Sequence, residues 1–179
     1  MNQEKLERIS SELGELLKLK DYSFTCAESC TGGWVGHAMT SIPGSSEWFG
    51  SSFVTYSYEA KTQILGVSSE DLDGFGAVSE EIVEQMVSGA LDKSGANVGV
   101  AISGIAGPAG GTDTKPVGTV CFAWKIGNQD VITSTEYFSG DRNEVRYSSV
   151  ERALIGTIEL IKKNRIILFI YTVLCIIAM

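Results

Sequence analysis

Apolar side chains near the N-terminus recur at intervals of three and four. Leu6, Ile9, Leu13, Leu16 and Leu17 form one stripe between Glu4 and Lys18, the pattern of an amphipathic helix that covers a core. The period then changes. Tyr22 to Ala27 (YSFTCA) is short, aromatic and β-branched, which predicts a strand. It runs directly into Glu28-Ser29-Cys30-Thr31-Gly32-Gly33, a tight turn before a helix over Trp34 to Met39. After a Pro-Gly turn in Ser41 to Ser46, Phe53 to Tyr58 (FVTYSY) predicts a second strand, followed by a short helix around Lys61 to Leu65. Strand, turn and helix therefore come twice.

Ser79 is placed as an N-cap, with Glu80 and Glu81 set favourably against the helix dipole, and the helix behind it should reach Ser94 with Ile82, Met86 and Ala90 inward. Asn97 to Ser103 (NVGVAIS) is the near-continuous apolar run of a buried central strand. Gly104 to Gly111 (GIAGPAGG) has four glycines in eight residues, which requires a loop with an unusual backbone. Val117 to Ile126 and Val131 to Phe138 flank Gly127-Asn128 and read as an antiparallel hairpin. Val150, Leu154 and Ile158 predict a last helix over Asp141 to Lys163. Helices interleaved with about five strands, two of them in a hairpin, give an α/β fold with a mixed central sheet covered on both faces.

A chain of 179 residues holds one domain, here residues 1–165, plus an appendage. The appendage is the stretch 166–179 (IILFIYTVLCIIAM), in which 13 of 14 residues are apolar. As a helix it would span roughly 21 Å against the ~30 Å of a bilayer core. It is expected to pack on its own domain or on a second copy, or to arise from an altered reading frame, with membrane attachment as the weaker reading. Fourteen basic and 22 acidic side chains leave a net charge of −8 without a basic stripe, so nucleic acid is not an expected partner. One histidine excludes His-rich metal sites. Cys26, Cys30, Cys121 and Cys175 lack CxxC spacing and read as reduced thiols. The charged N-terminus has no signal-type apolar run, and the expected compartment is the cytoplasm.

Ser29 stands where a strand hands over to a helix N-terminus, where N–H groups and the helix dipole stabilise developing negative charge. The same place suits a plain N-cap, for Ser29 or Thr31. Gly32 and Gly33 weigh against a cap alone, because two glycines let another group approach the backbone closely. A serine nucleophile needs a base, and His37, about 12 Å further along the helix, cannot easily serve. The base left for neutral pH is a desolvated lysine, and Lys61 follows the second strand. Read alone, Lys61 is first a solvated helix lysine and Tyr56 first a half-buried strand aromatic. The Gly104 to Gly111 loop could form a phosphate nest, although neither a Walker A nor a G-x-G-x-x-G pattern is present. Arg142 and Arg146 share a helix face, which suits a phosphate clamp or a pair of surface arginines bound to nearby acids.

Five blocks in order, Ala27-Glu28-Ser29-Cys30-Thr31-Gly32-Gly33, Val54-Thr55-Tyr56-Ser57 with Lys61, Ser103-Gly104-Ile105-Ala106-Gly107-Pro108, Lys115-Pro116-Val117-Gly118-Thr119 and Phe138-Ser139-Gly140-Asp141-Arg142, resemble the CinA C-terminal domain family, the nicotinamide-nucleotide amidohydrolases. The resemblance covers about residues 4 to 162. It implies a three-layer α/β/α sandwich that hydrolyses the amide of nicotinamide mononucleotide to nicotinate mononucleotide and ammonia, with no metal and no cofactor. It also implies a serine nucleophile at Ser29, a lysine base at Lys61 and an assisting tyrosine at Tyr56. The expected substrate-binding set is Cys30, Thr31, Gly32, Gly33, Ser103, Gly104, Gly107, Lys115 and Arg142, and the partner is a small nucleotide, with a homo-oligomer possible. Tyr58 departs from the family's usual Asn in Tyr-Ser-Asn, and the apolar tail lies outside the family pattern. Many relatives carry a further N-terminal domain, so the chain resembles the stand-alone form. The competing reading is a non-catalytic nucleotide-binding module in which Ser29 only caps a helix.

Overall fold

Side-chain size alternates along the two central strands, β3 (Val98–Gly104) and β4 (Thr119–Ile126) (β1 and β2 precede them in the chain). Their even positions are large and face one another in register as Val98–Ile126, Val100–Trp124 and Ile102–Phe122. The odd positions between them are small, with Ala101 opposite Ala123 and Ser103 opposite Cys121, and only at the end of the pair does Lys125 stand opposite Gly99. One face of the sheet is thus deep and the other shallow. The computed structural model describes the backbone of residues 2–177 and the side chains of residues 2–164.

With β1 (Phe24–Glu28), β2 (Phe49–Val54) and β5 (Ile132–Tyr137), the sheet order is β2-β1-β3-β4-β5. β1 lies parallel to both β2 and β3, while β4 and β5 are antiparallel additions. The deep face is covered by α1 (Gln3–Lys20), α2 (Trp34–Thr40) and α6 (Arg142–Ile177), which enclose Phe24, Phe122, Leu13 and Leu154. Fully burying each such side chain stabilises the fold by roughly 1.5–3 kcal/mol. The shallow face receives α5 (Glu80–Ser94), beside which pack α3 (Tyr58–Leu65) and α4 (Ser69–Phe75). Helix α5 lies so close that a methyl group on Gly99 would stand 3.1 Å from Val87 and Leu91. This is the three-layer α/β/α arrangement with a mixed sheet expected from the sequence.

Three local differences have identifiable causes. The second strand covers Phe49–Val54 rather than Phe53 to Tyr58, because its partner β1 ends at Glu28, whose carbonyl takes the last inter-strand bond from the Thr55 N–H (2.9 Å), and the Ser57 hydroxyl then caps α3 by accepting from the Ala60 N–H (3.0 Å). Helix α4 is absent from the periodicity reading, although Ser68 accepting from the Asp71 N–H (3.2 Å), with Glu70 and Asp71 in the first turn, is a recognisable N-terminal signal. Ser79 occupies the N-cap of α5, yet its hydroxyl donates to the Gly76 carbonyl (2.9 Å) instead of capping. The assignment of α6 runs to Ile177. What residues 166–179 pack against lies outside the described side chains. Among the described residues no helix is long and apolar enough to cross a membrane.

Candidate active site

The period of two along β1 separates two neighbouring residues. Phe24 and Cys26 face the layer of α1, α2 and α6, whereas Ala27 faces that of α3 and α5. Glu28 accordingly turns toward α2, and Ser29 toward α3. The Ser29 N–H donates to the Ile102 carbonyl (3.0 Å), which ties the residue to the adjoining strand β3. The chain then reverses through Gly32 and Gly33, both at positive φ (+64° and +94°), which only glycine adopts without strain. Helix α2 begins at Trp34.

Lys61 comes from the first turns of α3 and is 1% exposed. Its Nζ donates to the Ser29 Oγ at 3.0 Å and to the Thr55 carbonyl at 2.7 Å. Burial lowers its pKa from 10.5 to about 8, because the charged form loses water and finds no carboxylate among these partners. The helix reaches this depth because α3 crosses α5 at Gly89, where a methyl group would collide with the Leu65 carbonyl oxygen. Serine and lysine, 32 residues apart in sequence, thus form a hydrogen-bonded pair at the end of parallel strands. His37 is exposed on α2.

The other expected residues come from four places in the fold. Tyr56 is 61% exposed in the β2–α3 connection, and its hydroxyl accepts from Arg142 Nη2 at 3.1 Å. Arg142 Nη1 donates to the Gly107 carbonyl (2.7 Å), so one arginine spans the glycine loop and Tyr56. Ser103 is buried at the end of β3. Gly104 follows it, and any side chain there would meet Val120 at 2.7 Å. Lys115 donates to the Phe75 carbonyl at the end of α4 (2.9 Å). Cys30 is buried, and its thiol is pushed up to about 12 by loss of solvent, with the Glu28 charge adding to the effect. It stays a thiol at neutral pH. The Thr31 hydroxyl is fully buried and donates to Glu28 Oε2 (2.7 Å).

Arg146 departs from the shared phosphate clamp with Arg142. Its Nε and Nη2 donate to the carbonyls of Cys30 (3.1 Å) and Thr31 (2.9 Å), and its guanidinium lies 5.3 Å from the Trp34 ring centroid. Tyr58 is the first residue of α3, and its hydroxyl accepts from the Ala77 N–H (3.2 Å), linking α3 to the α4–α5 connection. Sequence reading did not single out Glu28 and Thr55. A buried glutamate in the middle of a turn motif was the available signal for the first. The second acts through its backbone carbonyl, which leaves no side-chain signature.

A serine at a strand–helix turn, a buried lysine against it and a mixed sheet between helical layers define an α/β domain of the CinA C-terminal class. The CinA C-terminal domain profile matches residues 6–161, and the chain belongs to that family. Among its relatives, the nicotinamide-nucleotide amidohydrolase PncC of Enterobacter agglomerans is 47% identical over 164 residues, covering 92% of this chain and all 100% of that protein. The protein of the same name from Escherichia coli (strain K12) is 50% identical over 154 residues, 86% of this chain and 93% of the other. The crystal structure of the competence/damage inducible protein CihA from Agrobacterium tumefaciens superimposes with a TM-score of 0.84 at 41% identity, over 87% of this chain and 95% of that one.

Proposed function

We propose that the protein hydrolyses the carboxamide of nicotinamide mononucleotide to nicotinate mononucleotide and ammonia through a serine–lysine mechanism carried by residues 1–165. The observation that carries the reading is the buried Lys61 amine 3.0 Å from Ser29 Oγ. A serine that merely caps a helix needs no desolvated amine beside it, which favours an enzyme over a non-catalytic nucleotide-binding module. The names of the PncC relatives supply the substrate.

In its neutral form Lys61 keeps an N–H on the Thr55 carbonyl and turns its lone pair to the Ser29 hydroxyl. Ser29 Oγ adds to the carboxamide carbon, its proton passes to Lys61, and the carbonyl π pair moves to oxygen. Collapse of the tetrahedral adduct breaks the C–N bond, and the Lys61 ammonium returns the proton so that ammonia leaves. Water then attacks the acyl-serine, giving one proton to the same amine; collapse breaks the C–Oγ bond, Lys61 returns that proton to Ser29 Oγ, and the nicotinic acid carboxyl loses its remaining proton to water as the product leaves. Tyr56, bonded to Arg142, assists at the mouth of the site. Arg142, Lys115 and the backbone of Ser103, Gly104 and Gly107 receive the nucleotide, and the turn Cys30 to Gly33 lies against the amide. The unpaired thiols of Cys26, Cys30 and Cys121 support a reducing, cytoplasmic compartment.

The test is ammonia release from nicotinamide mononucleotide by the parent and by Ser29→Ala, with nucleotide affinity measured in parallel. Turnover should fall roughly 10³-fold or more at unchanged affinity, as for a missing nucleophile. A fall of less than tenfold would sink the assignment.

A further inference from the structure

Two oppositely charged side chains hold the turn after β1, both within the layer of α1, α2 and α6. Glu28 is fully buried. Its Oε2 accepts from the Thr31 hydroxyl (2.7 Å) and the N–H groups of Gly33 (3.0 Å) and Val35 (3.1 Å), and its Oε1 accepts from the Gly36 N–H (3.0 Å) and the Ser52 hydroxyl (3.1 Å). An unpaired carboxylate at this depth would be strongly unfavourable, so its presence reflects the donors it gathers. The Cys26 thiol also donates to Oε1 (3.5 Å), and four of the six donors belong to the turn and the start of α2. From α6, Arg146 takes the carbonyls of Cys30 and Thr31, its guanidinium 5.3 Å from the Trp34 ring centroid.

We infer that Glu28 and Arg146 are a pair of positioning residues that aim the Ser29 turn at the reacting carbonyl. This rests on Ser29 being the nucleophile. The argument is one of peptide geometry: the C=O of Cys30 and the N–H of Thr31 belong to one planar trans unit and point in opposite directions. Holding the carbonyl toward α6 turns the Thr31 N–H away from that layer, toward the layer that supplies Lys61. There it meets the carboxamide oxygen as Ser29 Oγ adds to the carbon and the π pair moves onto that oxygen, the Ser29 proton going to Lys61. A donor fixed in place before the charge develops stabilises the adduct without reorganising. Glu28 holds Gly33, Val35 and Gly36, so the turn cannot relax by shifting along α2. The guanidinium fork suits two adjacent carbonyls, which a single ammonium cannot hold in the same way.

The experiment is single-turnover ammonia formation from nicotinamide mononucleotide with the full chain in excess, where the limiting rate constant does not depend on the fraction folded. Arg146→Ala should lower that constant by about 30- to 100-fold, the order expected for a misplacement near 1 Å. The half-saturating enzyme concentration should stay within about threefold. Arg146→Lys should fall between parent and alanine, since an ammonium recovers one carbonyl. Glu28→Gln should be slower still, because an amide NH₂ would face the N–H donors; if it does not fold, the Arg146 series decides. A rate constant for Arg146→Ala within about threefold of the parent would overturn the inference, as would an effect confined to half-saturation. A parent that releases no ammonia, or a Ser29→Ala variant as fast as the parent, would instead remove the nucleophile reading and the inference with it.

Discussion

Burying Lys61 should leave opposite marks on stability and on rate. A pKa of about 8 in place of 10.5 means that charging the amine in the folded protein costs about 3 kcal/mol, at roughly 1.4 kcal/mol per pH unit. The folded value lies below the unfolded one, so between pH 8 and 10.5 the unfolded chain binds more protons and stability rises with pH. The penalty is complete below about pH 8 and gone above about 10.5. Lys61→Met keeps the length of the side chain and removes the charge, but it also removes the 2.7 Å bond to the Thr55 carbonyl, a charged-group hydrogen bond of about 1.5–3 kcal/mol. At pH 7 the variant should therefore equal the parent or exceed it by about 1 kcal/mol. Between pH 8 and 10.5 the parent should gain on it by about 3 kcal/mol. Urea unfolding of both proteins across this range measures the difference, in which all shared titrating groups cancel. The rate should report the same group. At pH 7 about one amine in ten is neutral, so kcat/KM should climb almost tenfold per unit below pH 7 and level off above about 8. Lys61→Arg, whose guanidinium cannot accept a proton, should be nearly inactive at every pH. A stability difference flat to within about 0.5 kcal/mol across the window would refute the buried-amine argument. Lys61→Arg within about threefold of the parent would end the base role.

Arg142→Ala should damage turnover of nicotinamide mononucleotide far more than that of nicotinamide, which has no phosphate to lose; equal damage to both would show that its bonds to Gly107 and Tyr56 serve the fold instead. Gly89→Ala forces a methyl group against the Leu65 carbonyl and should cost about 1–3 kcal/mol in chemical denaturation. It should also slow catalysis, because the displaced helix is the one that carries Lys61; unchanged stability and rate would disprove the close crossing.

Local chemistry determined most of the elements and half of the site. The stripe from Leu6 to Leu17 specifies α1, the apolar run after Asn97 specifies β3, and Gly127-Asn128 specifies the β4–β5 hairpin, because each depends on periodicity or turn preference within a short window. Ser29 and its glycines were legible for the same reason, since a strand, a small polar residue and a positive-φ turn are contiguous in sequence. Where β2 ends was not legible. Its end is set by where the paired strand β1 stops, at Glu28, whose carbonyl takes the last inter-strand bond from the Thr55 N–H, a partner 27 residues away in the chain (55 − 28). The state of Lys61 was likewise not legible, since the residue read by itself is first a solvated helix lysine. Only the packing of α3 on α5 through Gly89 takes it out of water and brings it to Ser29. Arg142 and Arg146 look equivalent as residues four apart on one helix. The tertiary structure sends one to the glycine loop and Tyr56 and the other to the carbonyls of the serine turn. Which donor meets which acceptor depends on the crossing of distant elements, and that information is not contained in any single stretch of the chain.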